Sequence, residues 1–173
     1  MGRYRPPVAK ASPYITADGY ATLDQELKSL WQRRADVTRA LSAAAAEGDR
    51  SENAEYIYRK KELAGIDRRI RYLQKRLPEL SIVDQAPANH AQVFFGAWVV
   101  LEDALGQQYL HRIVGSDEIG VDSRYISLDG PLAKALLKKH LDEEIAIETP
   151  AGRRELTIIA IDYAAPPITQ AKP

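Results

Sequence analysis

The chain has 173 residues, no net charge and no cysteine. This length suits one domain or two small ones, and 45% hydrophobic with 28% charged residues is typical of a soluble folded protein. The lack of cysteine excludes disulfides, thiolate metal sites and a cysteine nucleophile, and it suits the reducing cytoplasm, where we expect the protein to act. No apolar run approaches the ~18 residues of a membrane span, and residues 1–14 lack the apolar segment of a secretory signal.

The charge is divided unevenly along the chain. Residues 1–80 carry 16 Lys and Arg against 11 Asp and Glu, a net charge of +5, whereas residues 81–173 carry 8 against 13, a net charge of −5. A basic N-terminal half suits a polyanionic partner such as nucleic acid, although a solvated helix surface explains the same composition at least as well.

A seven-residue apolar repeat in the N-terminal half indicates two long helices. In the first helix, one row of the repeat includes Tyr20 and Leu41, and Arg34 is its single polar interruption. The second helix has matching apolar rows that are interrupted only by Arg59, and Pro78 ends it.

The two helices are predicted to pair as an antiparallel coiled-coil hairpin over residues 15–80. Folding the chain at residue 50 places Val37 near Leu63, so the apolar rows of the two helices meet. The turn is then an acidic tip at residues 47–53, and residues 1–14, which contain three prolines, are predicted to be a flexible tail.

The C-terminal half has the pattern of a β-sheet domain. Residues 81–92 read as a linker that opens with a short strand-like segment, and residues 164–173 as a disordered tail. Between them, residues 93–163 contain strand-like runs and one short helix after Gly130-Pro131. The runs are 93–95, 97–101, 109–114, 125–128, 144–149 and 156–163, and the helix is 132–140. We therefore predict an α+β fold: a helical hairpin followed by a small antiparallel sheet with one helix.

The sequence offers little support for a self-contained enzyme. Its three histidines, His90, His111 and His140, are not spaced as metal ligands, and each is expected to be a surface or hydrogen-bonded residue. A glycine-rich phosphate loop and a Gly-x-Ser-x-Gly nucleophile motif are both absent from the sequence.

Asp49 and Glu52, in the tip, have two interpretations. Asp49 is a good helix N-cap, and a Glu three residues later completes a capping box, which is the more common role of such a pair. Alternatively, two carboxylates at a protruding tip bind Mg²⁺. Because Mg²⁺ requires about six octahedral oxygen ligands, the pair would need further ligands from a partner.

Three basic residues follow the tip by about two helical turns: Arg59, Lys60 and Lys61. They form either a solvated helix face or a grip for the end of a nucleic acid brought to the tip. Tyr56 fits the hydrophobic seam of the hairpin, whereas Tyr58 lies off the seam and has no assigned role.

These features together resemble the bacterial Gre transcript-cleavage factor family, in its GreB branch. The tip segment Gly48–Tyr56, followed by Lys60-Lys61, carries the resemblance most specifically. Further matching segments follow in order over about residues 15–163: Ile66–Leu73, Val93–Val99, Arg112–Gly115, Asp117–Ile119, Ala135–Lys139 and Thr149–Gly152.

The resemblance implies an architecture and a mode of action. In the family, an FKBP-like C-terminal domain docks on RNA polymerase at the rim of its secondary channel, and the coiled-coil hairpin enters the channel. By this resemblance, Asp49 and Glu52 help to hold a second Mg²⁺ and the water that cleaves backtracked RNA. Arg59, Lys60 and Lys61 correspond to the basic patch that engages the 3′ segment of the RNA.

The resemblance also assigns a docking loop to Asp129-Gly130-Pro131. The GreB branch often has Ser where this chain has Gly130, so a side-chain contact at that position is not expected here. The protein would be a monomeric cofactor of the polymerase's own nuclease activity rather than an enzyme. It would hold Mg²⁺ only within the polymerase complex and would make no specific contact with DNA.

Two other functions are compatible with a coiled-coil hairpin. An inhibitory regulator would enter the secondary channel and block it without stimulating cleavage, and a generic coiled-coil adaptor would never approach an active site. The paired acids at the tip favour the cleavage cofactor over both.

Overall fold

Two long helices precede a β-sheet domain in this computed structural model, which describes residues 10–46, 54–150, 152–164 and 166. The α+β class predicted from the sequence is confirmed. The described residues of Asp18–Leu80 form one compact unit, and those up to Ala17 form a second unit with the described residues from Ser81 onward. In the described part of the chain, no helix is long and apolar enough to cross a membrane.

The first unit is a helical hairpin. Helix α1 spans Ala17–Ala46 and helix α2 spans Ala54–Arg76, followed by a 3-10 turn at Leu77–Glu79 that contains Pro78. The helices run antiparallel, because Glu26 near the start of α1 binds Arg69 whereas Arg33, further along, binds Glu62. The predicted tip at residues 47–53 lies outside the described residues.

An apolar seam holds the two helices of the hairpin together. Val37, Ile66 and Ile70 are buried together, and Leu27, Leu30 and Leu63 pack against them. This confirms the predicted proximity of Val37 and Leu63. The interruption of the repeat at Arg34 is accommodated by an ion pair, in which its Nε lies 2.7 Å from Oδ1 of Asp67 on the other helix.

The second unit begins with a strand that the sequence did not predict. Strand β1, Tyr14–Thr16, pairs in parallel with strand β2, Ser81–Val83, in the segment read as a linker with a strand-like start. The N–H of Ser81 also donates to the carbonyl of Pro13, at 2.8 Å. The assignment of residues 12–14 to a flexible tail is therefore wrong, because Pro13 and Tyr14 are held by Ser81 and the N–H of Ser12 donates to Asp129.

The main sheet has five strands in the order β5-β4-β3-β7-β6. The strands are β3 Trp98–Asp103, β4 Gln108–Val114, β5 Tyr125–Ser127, β6 Glu144–Thr149 and β7 Gly152–Asp162. The pairings are antiparallel as predicted, with one exception: β5 runs parallel to β4. A parallel neighbour needs a crossover connection, and residues 115–124 supply it.

One short helix covers the sheet. Helix α3, Pro131–Leu136, buries Ala133 and Leu136 completely in a core with strand residues such as Leu101, Ile113 and Ile158. The helix is shorter than the predicted 132–140, because Leu137 is extended and Lys138 has a φ of 67°. The predicted strand at 93–95 is instead irregular, and a turn with Gly96 at φ 85° leads into β3.

Candidate functional site

The predicted catalytic acids, Asp49 and Glu52, lie outside the described residues. In the sequence they lie between Ala46, the last described residue of α1, and Ala54, the first described residue of α2. Both the capping-box interpretation and the metal interpretation therefore remain predictions. Among the described residues, no group of three or more His, Asp or Glu side chains is arranged to hold a metal ion.

Arg59, one of the three predicted RNA-binding residues, is engaged by acids of its own helix. Its guanidinium lies 3.2 Å from a carboxylate oxygen of Glu55 and 3.2 Å from one of Glu62. These hydrogen bonds, the one to Glu55 foremost, raise the pKa of Arg59 above its ordinary value. The guanidinium also lies over the ring of Tyr58, 5.6 Å from its centroid. The charge of Arg59 is thus largely compensated within the hairpin.

Lys60 and Lys61 are the exposed cations of this part of α2. The ion pairs that the structure gives for its described residues do not include either lysine. Two uncompensated ammonium groups at successive positions are suited to an anionic chain, since ammonium groups bind phosphate as mobile point charges. Of the three predicted RNA-binding residues, these two are the better placed for that role.

A groove of about 540 Å³ runs along the hairpin surface beside Lys61. Leu30 and Ile66 contribute apolar surface, and Arg33 and Arg69 contribute guanidinium groups that are paired with Glu62 and Glu26. Tyr58, to which the sequence assigned no role, lines the same groove and is 62% exposed. Its position off the apolar repeat was the only sequence signal of that exposure.

The predicted docking loop, Asp129-Gly130-Pro131, is the N-terminal entry to α3. Gly130 is the residue before the helix, with φ −74° and ψ 158°, and Pro131 occupies the first turn, where its missing N–H costs nothing. Asp129 is exposed, and its backbone N–H donates to the hydroxyl of Ser127 at 3.2 Å. The structure therefore presents the three residues together at one surface turn.

The side chain of Asp129 accepts two hydrogen bonds that the sequence did not predict. The hydroxyl of Ser116 donates to its Oδ2 at 2.7 Å, and the backbone N–H of Ser12 donates to the same oxygen at 2.8 Å. Both donors are remote in sequence. A residue spacing could not have revealed them, because they depend on the crossover before β5 and on strand β1.

Gly130 makes a close approach to the backbone of the same loop. Its N–H donates to the carbonyl of Ser127 at 2.8 Å, and a Cβ built on Gly130 would lie 3.0 Å from that oxygen. A Ser at this position would therefore require a shift of a few tenths of an ångström. This spacing provides a local physical reason for glycine.

The three histidines are distributed over the sheet domain and do not form a cluster. His111 lies in β4, and burial lowers the pKa of its imidazole. Nδ1 of His140 lies 3.0 Å from a carboxylate oxygen of Glu143, and the ring of His90 contacts Tyr163 with centroids 5.5 Å apart. His90 and His140 thus agree with the sequence interpretation, whereas His111 departs from it, because its Nδ1 is buried without a hydrogen-bond partner among the described residues.

Comparison with known proteins identifies related sequences for both units. A family model described as transcription elongation factor, N-terminal, matches residues 13–82, and one described as transcription elongation factor, GreA/GreB, C-term, matches residues 88–163. A transcription elongation factor GreB of Xanthomonas axonopodis pv. citri is 54% identical over 95% of this chain and 99% of its own length. The GreB of Pseudomonas aeruginosa is 52% identical over 96% and 100%.

Proposed function

The chain belongs to the GreA/GreB family of transcription elongation factors, and from this premise we propose that it rescues backtracked RNA polymerase by stimulating cleavage of the RNA 3′ end. The observation that carries the proposal is the similarity over 95% of the chain to a factor named GreB, together with the two acids between the helices. A cleavage cofactor needs a body that binds the polymerase, for which the similarity is the support, and acidic residues that act in the active centre, for which Asp49 and Glu52 are the candidates.

The sheet domain is proposed to dock and the hairpin to deliver the tip. The exposed turn Asp129-Gly130-Pro131 would bind the rim of the polymerase secondary channel, and the hairpin would extend down the channel. Support comes from the division of the chain into two compact units with separate cores. A factor of this kind acts in the cytoplasm with its polymerase, as a monomer.

The tip acids would supply two carboxylates to a Mg²⁺ that the polymerase also binds. Carboxylate oxygens are suitable ligands for Mg²⁺, but two exposed carboxylates cannot complete its octahedral shell, so the pair fits a shared site and not an independent one. A bound Mg²⁺ supplies Lewis acidity and lowers the pKa of an attacking water. Asp49 and Glu52 would orient this water and the metal at the scissile phosphate.

Lys60 and Lys61 would hold the extruded 3′ segment of the RNA near the tip. They lie about two helical turns from the acids, too far to bind the same metal but within reach of a phosphate chain that ends there. Arg59 would contribute less than the lysines, because Glu55 and Glu62 already compensate its charge. The lysines would contact RNA phosphates, which carry no sequence information. No specific contact with DNA is proposed.

The test is a cleavage assay with a stalled, backtracked polymerase complex. Purified protein should accelerate Mg²⁺-dependent release of short 3′ fragments and should restore elongation. The protein alone should leave the same RNA intact, because its own ligands do not complete a Mg²⁺ site. An inhibitory channel regulator would instead slow the polymerase without releasing fragments, and that result would reject the proposed function.

A further inference from the structure

The carboxylate of Asp129 is oriented before any partner binds. Its Oδ2 accepts the hydroxyl of Ser116 and the backbone N–H of Ser12, at 2.7 and 2.8 Å. Hydrogen bonds to an ionised carboxylate are stronger than those between neutral groups, so two donors on one oxygen restrict the rotation of the side chain. Asp129 is nevertheless exposed, and its surface remains accessible.

Ser12 reaches Asp129 because the chain that follows it is anchored in the sheet domain. We call residues 12–16 the N-terminal strap. At its end, the N–H of Thr16 donates to Oε2 of Glu118 at 3.1 Å, and the hydroxyl of Thr16 donates to the other oxygen. The N–H of Gly115 also donates to Oε2, at 2.8 Å. Glu118 is only 3% exposed, so these bonds satisfy a carboxylate that would otherwise be costly to bury.

The strap also packs closely against the chain that leads to Ser116. Ile15 is fully buried, and a Cβ built on Gly115 would lie 2.3 Å from the carbonyl oxygen of Tyr14. Only glycine allows the two backbones to approach so closely. Glu118, Gly115 and Ser116 belong to one short segment, so the anchoring of the strap and the orientation of Asp129 are parts of the same structure.

We infer that the N-terminal strap positions Asp129 for docking on RNA polymerase. The inference rests on the proposed function, in which Asp129 belongs to the docking loop. Association must restrict the side chains at an interface, and hydrogen bonds formed in advance remove part of that entropic cost. Ser12 and Ser116 are thus positioning residues: they act through Asp129 and need no contact with the polymerase themselves.

The backbone hydrogen bond can be removed with a single substitution. Ser12→Pro deletes the N–H that binds Asp129. Because residue 12 already precedes Pro13, its backbone is restricted to extended conformations that suit a proline. Ser12→Ala is the matched variant, since it changes the side chain and keeps the N–H. Ser116→Ala removes the second donor without altering the strap.

The measurement is the Kd of the full-length protein for core RNA polymerase, together with the cleavage rate at saturating protein. Ser12→Pro and Ser116→Ala should each weaken binding by about three- to tenfold, and Ser12→Ala should stay within about twofold of the unchanged protein. The cleavage rate at saturation should be the same for all, because positioning affects docking and not the chemical step. A purely structural defect of the sheet domain would instead weaken binding even when Asp129 is replaced by Ala.

The combination with Asp129→Ala separates this inference from the proposed function. Once Asp129 is absent, Ser12→Pro should weaken binding no further. If Asp129→Ala weakens binding but Ser12→Pro leaves the Kd unchanged, the strap inference alone is wrong. Tighter binding by Ser12→Pro would also reject it, since the strap would then shield Asp129 from the polymerase. An unchanged Kd for Asp129→Ala itself would overturn the docking assignment and, with it, the inference.

Discussion

Gly115 shows how a single residue determines the path of the chain. A Cβ at this position would lie 2.3 Å from the carbonyl oxygen of Tyr14, whereas a Cβ on Gly65, in the interior of α2, meets no atom within 4 Å. The same Gly→Ala substitution is therefore expected to have opposite effects at the two positions. At Gly115, either strand β1 or the turn that contains Gly115 must move to make room for the Cβ. At Gly65, helix α2 is stabilised because alanine has a higher intrinsic helix propensity than glycine.

We predict that Gly115→Ala destabilises the sheet domain by about 1–3 kcal/mol and that Gly65→Ala stabilises the hairpin by about 0.5–1 kcal/mol. Urea unfolding can follow each unit separately. Trp98 fluorescence reports on the sheet domain in a Trp31→Phe background, and circular dichroism reports mainly on the helices. Equal urea midpoints for Gly115→Ala and the unchanged protein would contradict the close approach.

Asp122 provides a prediction about ionisation. Hydrogen bonds from the side chain of Arg124, and then from its backbone N–H, lower the pKa of Asp122 to about 2, from an ordinary value of 3.8. Because the folded-state pKa is depressed, the ion pair stabilises the fold above pH 3.8, and this contribution is lost as the pH falls towards 2. Arg124→Gln should raise the pKa of Asp122 towards its ordinary value. Carbon-detected NMR titration measures the pKa of Asp122 in the unchanged protein and in the variant. A titration midpoint near 4 in the unchanged protein would reject the ion pair between Asp122 and Arg124.

The hairpin is the element whose contacts were most predictable from the sequence. Each helix repeats its apolar residues every seven positions, so folding at residue 50 predicts which rows meet, and the cluster around Val37 follows. Even the polar interruption at Arg34 has a partner of opposite charge, Asp67, across the interface. A local periodicity is sufficient here, because the hairpin brings successive segments together in register.

Strand β1 was not predictable, for a physical reason. Three residues are too few to show an alternation, and their partners in β2 are 67 positions away. The anchor, Glu118, resembles a surface acid in the sequence, and only the fold reveals that it is buried beside Thr16. The family resemblance predicted that Asp129 belongs to the docking loop. It did not predict the contact between Asp129 and Ser12, because that contact depends on this same unpredicted strand.

Helix α2 carries a prediction about RNA length. A Lys60→Ala, Lys61→Ala double variant should lose preference for longer backtracked RNA and should still cleave RNA that is backtracked by a few nucleotides. If each lysine contacts one phosphate of a single strand, the slope of log affinity against log salt should fall by about 1.4 in magnitude. Cleavage assays on complexes backtracked by different lengths, over a salt series, measure both effects.

The matched control for this experiment lies on the same helix. Arg68 and Arg71 are also exposed, and an Arg68→Ala, Arg71→Ala double variant removes the same charge nearer the base of the hairpin. This control should cleave long and short backtracked RNA with the same preference as the unchanged protein. If the lysine variant slows both lengths equally, the two lysines do not bind the RNA.

At the scale of the whole molecule, docking and chemistry should be separable, because they belong to units with separate cores. We predict that Asp129→Ala weakens polymerase binding and leaves the helical content and unfolding of the hairpin unchanged. Raising the protein concentration should then restore cleavage to the unchanged rate. Competition binding with labelled protein gives the affinity, and a Kd equal to that of the unchanged protein would refute the docking role of Asp129.

The central claim is that the tip acids act on a metal and do not merely cap a helix. Asp49→Asn and Glu52→Gln separate these roles, because Asn caps about as well as Asp and Gln also serves in a capping box. Each substitution removes the negative charge that Mg²⁺ requires and retains an oxygen that can accept a hydrogen bond.

The most direct measurement is therefore the rate of RNA cleavage by a backtracked polymerase at saturating concentrations of each variant. If the acids bind the metal, the stimulated rate falls by orders of magnitude, while the thermal stability of the protein and its affinity for the polymerase stay close to those of the unchanged protein. Cleavage rates that remain unchanged for both variants would show that the acids only cap the helix, and the proposed catalytic role of the tip would be wrong.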